Sequence, residues 1–348
     1  MDTIELVNST LPSHLKMTPE GILMRTASSY LVTCALYSVI KLEIYKEFDE
    51  GPRSIFEIAQ ERKINPDFLQ RTMRALASQG IFKMVSKDGN DGMYDHTEAS
   101  RLLEDPNGII GLVEFMTCPM VFSGFKNLSD TITMGAPQGP SPVGSYSMLN
   151  LVPKVREIMA MYNKSVAIGR KMSTNVFVDD FDLSRYEIKT FVELGGDGGH
   201  LTKRLLEKYP SIEYGVNVDN ASNLTKATTA RYREESGDWT KSFKTTEQCY
   251  FSCFQMHELD DSVIMKLLTN IASKLKSTRN KFFLVEPYIS ESNEMSFGAV
   301  LDLNMMHCIR NGKLRTDSEW KQLIEKANLK IESRSYHPNQ VGVIVISK

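Results

Sequence analysis

The stretch Phe191-Val192-Glu193-Leu194-Gly195-Gly196-Asp197-Gly198-Gly199-His200-Leu201-Thr202-Lys203-Arg204-Leu205-Leu206-Glu207-Lys208-Tyr209-Pro210 decides the fold, together with the extended run 212–218 and the acid that closes it, Asp219. A short apolar run entering a glycine cluster is a strand meeting a tight turn. Leu201, Leu205 and Leu206 share one face of the helix that follows, and Pro210 closes that helix. Strand, glycine turn, helix, strand, acid, with the acid about 20 residues beyond the turn, is the layout of a βαβ nucleotide site. Glycines let the backbone bend sharply and approach a ligand. The helix start offers unpaired N–H groups, and an acid ending the second strand can accept hydrogen bonds from ribose hydroxyls.

Glu193, just before the glycines, suits a cradle for S-adenosylmethionine better than one for a dinucleotide. No G-x-G-x-x-G is present, which weighs against a nicotinamide oxidoreductase. At 348 residues the chain has room for two domains, and 41% hydrophobic with 24% charged residues is ordinary for a soluble globular protein. The net charge of −2 recruits neither nucleic acid nor an anionic membrane. Residues 1–16 read as a loose tail without an apolar signal core, and the apolar run 30–40 is too short to span a bilayer. Five scattered cysteines (Cys34, Cys118, Cys249, Cys253, Cys308) contain no CxxC pair. That predicts reduced thiols and a cytoplasmic protein. No His/Asp cluster has ligand spacing, so no metal is expected.

Thr18-Pro19-Glu20 opens a helix whose apolar residues, from Ile22 to Ile44, occupy most of its faces. Such a helix packs between elements or between subunits. Ser54-Ile55-Phe56-Glu57 fits a capping box, and Asn65-Pro66 caps a further helix with Leu69, Met73 and Leu76 inward. Ile81 to Val85, a turn from Lys87 to Gly92, and Met93-Tyr94-Asp95 form a hairpin. Three helices and a hairpin are the winged-helix order. The third helix carries Arg71 and Arg74 but also Asp67, and the turn carries aspartates, so this surface is not basic enough for a DNA-binding regulator. A dimerising role is expected instead. Residues 98–175 read as helices joined by a loop from Gly135 to Pro142, with Met116, Met120, Met148, Met159 and Met161 prominent.

From Thr190 onward strands alternate with helices, which implies a mainly parallel sheet. One strand, Tyr250 to Gln255, ends beside His257, and the next, Lys281 to Val285, ends at Glu286. Between them the apolar positions from Val263 to Leu275 form an amphipathic helix. No third strand is evident in the polar run between Ala221 and Glu235, and the chain closes with two strands between Ile331 and Ser347. Ligands of open α/β sheets lie beyond the carboxyl ends of the strands, so the glycines, Asp219, His257 and Glu286 should share one rim. A neutral imidazole can take a hydroxyl proton, and a carboxylate on its other nitrogen would orient it.

Residues 20–348 resemble the small-molecule O-methyltransferases of the plant caffeate and animal acetylserotonin type. The family's V-D-V-G-G-G-T-G is similar to Val192-Glu193-Leu194-Gly195-Gly196-Asp197-Gly198-Gly199. Its F-D-L-P is similar to Val218-Asp219-Asn220-Ala221, and its G-D-M-F to Gly237-Asp238-Trp239-Thr240. Its L-H-D-W-D-D is similar to Met256-His257-Glu258-Leu259-Asp260-Asp261, and its G-G-K-E-R-T to Asn311-Gly312-Lys313-Leu314-Arg315-Thr316. The resemblance implies a Rossmann-like α/β methyltransferase domain over residues 111–348, behind a winged-helix dimerisation domain over 1–110, and a homodimer. It implies that Gly195 and Asp219 hold the methionine and ribose parts of S-adenosylmethionine, and that Asp238 and Trp239 hold the adenine. It further implies His257 as general base, Glu286 as its partner, and Met161 and Met305 as walls for a small, aromatic hydroxyl acceptor.

The family's proline after F-D-L is absent, Ala221 standing there, and three further positions depart from the family pattern. Asp197 replaces a glycine, Cys253 replaces a basic residue, and Leu314 replaces a second catalytic glutamate. They motivate an alternative, a catalytically weakened homologue with a binding or regulatory role.

Overall fold

The computed structural model describes residues 18–85, 92–138, 153–241, 243–292, 296–309, 311–337 and 341–348. The N-terminal tail, the hairpin turn 86–91, Met148, the end of the 135–142 loop and the turn 338–340 lie outside them. Two compact units are present, Met1–Gly124 with Pro153–Ile168 and Phe125–Val152 with Gly169–Lys348.

In the first unit, helix α1 (Pro19–Lys41) starts where the Thr18 hydroxyl accepts the Gly21 amide at 3.1 Å. Apart from Val39 and Ile40 near its end, the helix is not buried within the chain; Leu23 and Met24 are 71% and 67% exposed. Strand β1 (Arg53–Ser54), helix α2 (Ile55–Arg62), helix α3 (Pro66–Ser78), β2 (Phe82–Met84) and β3 (Met93–His96) follow, and the strands form an antiparallel sheet in the order β1-β3-β2. Asn65 caps α3 by accepting the Phe68 amide at 3.0 Å. The capping box expected at Ser54 does not form, because Ser54 pairs with Met93 as part of β1 and its side chain makes no capping bond. Phe48, Ile55, Met73, Leu76, Phe82 and Tyr94 fill the core beneath.

The second unit is built on seven strands: β4 (Thr190–Leu194), β5 (Tyr214–Asp219), β6 (Tyr232–Ser236), β7 (Cys249–Cys253), β8 (Lys281–Pro287), β9 (Lys330–Tyr336) and β10 (Val341–Ser347), in the order β6-β5-β4-β7-β8-β10-β9. The first five are parallel, and β10 pairs antiparallel with both β8 and β9. Strand β6 corrects the sequence reading. It is an edge strand paired only with β5, and Arg233, Glu234 and Glu235 give it no apolar alternation to read.

The central strands are buried on both faces, so successive side chains feed two different cores. Phe282 and Leu284 join Ile264, Leu267 and Leu268 of α6 (Asp261–Lys274) and Trp320 of α8 (Asp317–Lys326). Phe283 and Val285 face the other way, with Leu201 and Leu205 of α5 (His200–Lys208) and Phe177 of α4 (Pro153–Asp180). Helix α7 (Phe297–Cys308) precedes the segment that leads into α8. On the second face Phe251 stacks on Phe283 with ring centroids 4.6 Å apart and meets Phe191 edge-on at 5.1 Å. Replacing this fully buried ring, Phe251→Ala, is expected to cost about 3–5 kcal/mol in denaturant unfolding. A loss below ~1 kcal/mol would mean the stack does not brace the sheet.

Candidate active site

After β4 the chain moves outward to β5 and β6, then returns to lay β7 on the other side of β4. The carboxyl ends of β4 and β7 therefore flank the point where strand order reverses, the place where open α/β sheets bind ligands. The turn leaving β4 is 195–199, and the turn leaving β7 is 254–257. They are tied directly, since the Gln255 side-chain amide donates to the Gly195 carbonyl.

The glycine turn is shaped by contacts that exclude side chains. A Cβ on Gly196 would lie 2.3 Å from the Glu193 carboxyl carbon and 2.6 Å from Asn217 Oδ1, an oxygen that also accepts the Gly196 amide at 3.1 Å. Asp197 sits in the left-handed region at φ 44°, which costs energy for any residue with a Cβ. Its carboxylate pairs with Arg170 of α4 at 3.0 Å. Asp219, at the end of β5, accepts the Asp197 amide on Oδ2 at 2.9 Å, and on Oδ1 the Asn220 amide at 2.7 Å and the Asn223 side-chain amide at 3.1 Å. A carboxylate offers about four acceptor positions. Three are used in orienting the side chain, which leaves one.

Glu193 does not face this cradle. It is buried under the turn, and one of its oxygens accepts the Thr202 amide at 2.9 Å and the Thr202 hydroxyl at 2.6 Å. It thereby satisfies one of the free N–H groups in the first turn of α5. Burial pushes its carboxyl up to about 7 despite those bonds. Trp239 is brought to the cradle, its indole packed so closely that a Cβ on Gly195 would lie 2.8 Å from it. Asp238 is turned into its own loop, accepting the Thr240 amide at 3.2 Å and pairing with Lys241 at 2.9 Å.

Across the reversal point, His257 Nδ1 lies 2.8 Å from Glu286 Oε2. Both residues are 4% exposed. The other Glu286 oxygen accepts the amides of Gln255 and Met256 at 2.7 and 2.8 Å. Burial opposes charging the ring, but the adjacent carboxylate outweighs it, by charge and by hydrogen bond, and raises the His257 pKa above the ordinary histidine value. Phe254 braces the ring edge-on at 4.5 Å between centroids. It does so from φ 55°, an unusual backbone for a bulky residue and a form of local strain found at functional sites.

Met305 is buried in α7, while Met161 lies half-buried in the part of α4 that belongs to the other unit. Cys253 is buried, its thiol pushed up to about 12 by burial and within 3.5 Å of Thr174 Oγ1, so it does not replace a cation. Leu314 is buried and its amide donates to Asp302 at 2.7 Å.

Sequence reasoning gave no role to Arg315, although it lies within a quoted motif. Its buried guanidinium donates to Asp261 at 2.6 and 2.9 Å, to the Met256 carbonyl at 3.2 Å and to the Leu259 carbonyl at 2.8 Å, and it lies over the Trp320 ring. It clamps the loop that carries His257. The signal available was an arginine downstream of an Asp-Asp pair, with nothing in the sequence to show that they meet. A cavity of about 940 Å³ lies elsewhere, at the amino ends of β4, β7 and β8 beside Lys189, Gln248 and Lys281. It is an open depression on the opposite rim, so size alone does not locate the chemistry.

A mainly parallel sheet with a glycine cradle, a strand-end acid and a buried imidazole–carboxylate pair at its reversal point is the fold of a class I S-adenosylmethionine-dependent methyltransferase. Sequence comparison agrees: the O-methyltransferase dimerisation domain matches residues 24–105 and the O-methyltransferase domain matches residues 125–330. The chain belongs to the O-methyltransferase family. It is 25% identical to des-methyl DIF-1 methyltransferase A of Dictyostelium discoideum, over 94% of this chain and 93% of that protein. It is 26% identical to probable inactive O-methyltransferase 11 of the same organism, over 92% of this chain and 96% of that one. The solved structure of human N-acetylserotonin methyltransferase in complex with SAM shares its fold, with a TM-score of 0.73 at 17% identity, covering 97% and 99% of the two chains.

The raised carboxyl of Glu193 makes a pH prediction. Its folded pKa, about 7, exceeds the unfolded value of ~4.3, so its contribution to stability is complete below the unfolded value and is lost as pH rises through the folded one. Glu193→Gln keeps an acceptor for Thr202 without the charge. Relative to that variant, the native chain should lose roughly 4 kcal/mol of stability across this window. Parallel stability profiles for the two chains would show that Glu193 is ionised in the fold.

Proposed function

We infer that this O-methyltransferase methylates the hydroxyl of a small, aromatic acceptor, with His257 as the general base. The observation that carries this reading is the 2.8 Å contact between His257 Nδ1 and Glu286 at the reversal point of the sheet. With Nδ1 donating to the carboxylate, Nε2 is left to accept a proton. When bound, S-adenosylmethionine supplies an electrophilic methyl group on a cationic sulfur. Gly195 and Asp219 would hold its methionine and ribose parts, and Asp238 and Trp239 its adenine. Met305 would wall the acceptor. Glu286 holds the ring in place and stabilises it once protonated, and alignment of the hydroxyl supplies much of the remaining acceleration.

His257→Ala should lower methyl transfer by about 10²–10⁴-fold and leave S-adenosylhomocysteine affinity nearly unchanged. The raised pKa sets the direction of the pH profile. The ring is a base only once deprotonated, so kcat should rise with pH through an inflection above ~6.5, and Glu286→Gln should move that inflection downward. Full turnover by His257→Ala, or an inflection that Glu286→Gln leaves in place, would remove the ring from the reaction.

The second reading is a weakened homologue, favoured by the aliphatic Leu314 where the family carries a glutamate and by the relative named as probably inactive. Calorimetry with S-adenosylhomocysteine separates the readings, because an enzyme binds it well below millimolar. We place the protein in the cytoplasm, in keeping with five unbridged cysteines.

A homodimer formed through the first unit would cover the exposed apolar residues of α1, Leu23, Met24, Tyr30 and Leu31, which lie at or beside the start of the segment matched by the dimerisation domain. Leu31→Glu should shift the sedimentation coefficient from dimer to monomer at micromolar protein. An unchanged coefficient would move the interface elsewhere.

A further inference from the structure

We propose that the first unit holds a divalent transition-metal cation between Asp49, His96 and Glu104. Their carboxylate oxygens and imidazole nitrogen all lie within 4.8 Å of one another. The three side chains come from the turn after the 3₁₀ segment Ile44–Phe48, the end of β3, and the chain just after the short helix Glu98–Arg101. No sequence spacing announces the cluster, because the fold alone brings these segments together. Nothing in the methyl-transfer chemistry uses it.

Carboxylates gathered at a surface are common, and the stronger observation is the imidazole. His96 is fully buried and held by its surroundings: its ring packs between Phe48 and Phe82, with centroids 5.8 and 5.9 Å away. Nδ1 lies 2.9 Å from Ser100 Oγ. That hydroxyl accepts the Thr97 amide at 2.9 Å and donates to the Thr97 carbonyl at 3.3 Å, so the proton between ring and serine is assigned to Nδ1. The assignment leaves Nε2 as a bare lone pair.

Nε2 is buried and has no hydrogen-bond partner, yet Glu104 Oε1 lies 2.9 Å away and Asp49 Oδ1 3.9 Å away. Glu104 is near enough for a hydrogen bond but lies off the direction in which an N–H would point. A lone pair facing two carboxylates is repulsive unless something positive stands between them. Ligand atoms around one cation have this arrangement: with metal–ligand distances of about 2.0–2.2 Å, adjacent ligands sit about 3 Å apart and off each other's axes. The hydrogen bond from Nδ1 to Ser100 is the outer support that a ligating histidine usually has.

One imidazole and two carboxylates suit zinc or a neighbouring first-row ion, with water completing the shell. The carboxylates reach solvent, with 58% of the Asp49 and 32% of the Glu104 side chain exposed, so an ion has a path of entry. Arg101 is the competing cation, 3.9 Å from the same Glu104 oxygen, but it is half exposed and such a pair is weak. Bound there, the ion would staple three separate segments of the unit.

The test uses the full chain, stripped with chelator and titrated with Zn²⁺ by calorimetry at neutral pH. The native protein should bind one more zinc per chain than Glu104→Gln or Asp49→Asn, with affinity at least tenfold weaker in either variant. Both substitutions are at solvent-reaching carboxylates and leave the His96 core contacts in place, so the test does not depend on whether His96→Gln folds. Saturating zinc should raise the melting temperature of the native chain and not that of Glu104→Gln. Substituted Co²⁺ should show only weak visible bands; an intense thiolate charge-transfer band would assign the ion to a cysteine and overturn the site. Zinc binding no tighter than millimolar, or equal affinity in native chain and both variants, would also overturn it.

Discussion

The Glu286 carboxylate holds the functional rim of the second unit together. One oxygen takes two backbone amides from the turn after β7 and the other takes His257 Nδ1. A single side chain on β8 therefore fixes both the path of the neighbouring loop and the orientation of the imidazole it carries. A buried carboxylate is costly to hold in a protein interior unless its lone pairs are used, and here three donors use them. Removing it would strand the two backbone amides and the imidazole together. Arg315 acts on the other flank of the same loop, tying the carbonyls of Met256 and Leu259 and the carboxylate of Asp261. His257 is thus fixed by elements far from it in sequence, and its geometry is a consequence of sheet order.

The two turns that flank the reversal point each carry one departure from an unstrained design, each matched by a neighbour. Asp197 brings a Cβ and a charge into a turn otherwise dominated by glycine. Its amide is held by Asp219 and its charge is met by Arg170. Phe254 occupies a left-handed backbone beside the imidazole, and its ring lies where a Cβ on Gly169 would be, 2.7 Å from the nearest ring carbon. Arg170 and Gly169 are consecutive residues of α4, so one point on that helix accommodates both irregularities.

Much of this was legible in the sequence because the signals are local. The apolar strand, the glycines, the amphipathic helix and the closing acid fix the βαβ unit, since each element's chemistry is contained within a few residues. The pairing of His257 with Glu286 was legible one step further on, because both follow strands of a parallel sheet and must share a rim. The edge strand β6 was not, because a strand paired on one side and facing solvent can be built from Arg233, Glu234 and Glu235. The Ser54 cap misled for a related reason: the signature S-x-x-E describes a helix start, but β3 recruits Ser54 as a strand residue first. Arg315, Arg170 and the Asp49–His96–Glu104 cluster were invisible because each depends on segments brought together only by the tertiary fold.

The same reasoning bears on Leu314. An imidazole has two nitrogens, and if one faces the acceptor only the other is available to an orienting carboxylate. Glu286 already occupies it at 2.8 Å. The leucine therefore omits the family's glutamate without taking a carboxylate from the ring, and its backbone amide donates a hydrogen bond to the Asp302 carboxylate that anchors the segment. The loss bears on how an acceptor hydroxyl would be surrounded, while the orientation of the imidazole rests on a contact that Leu314 does not touch.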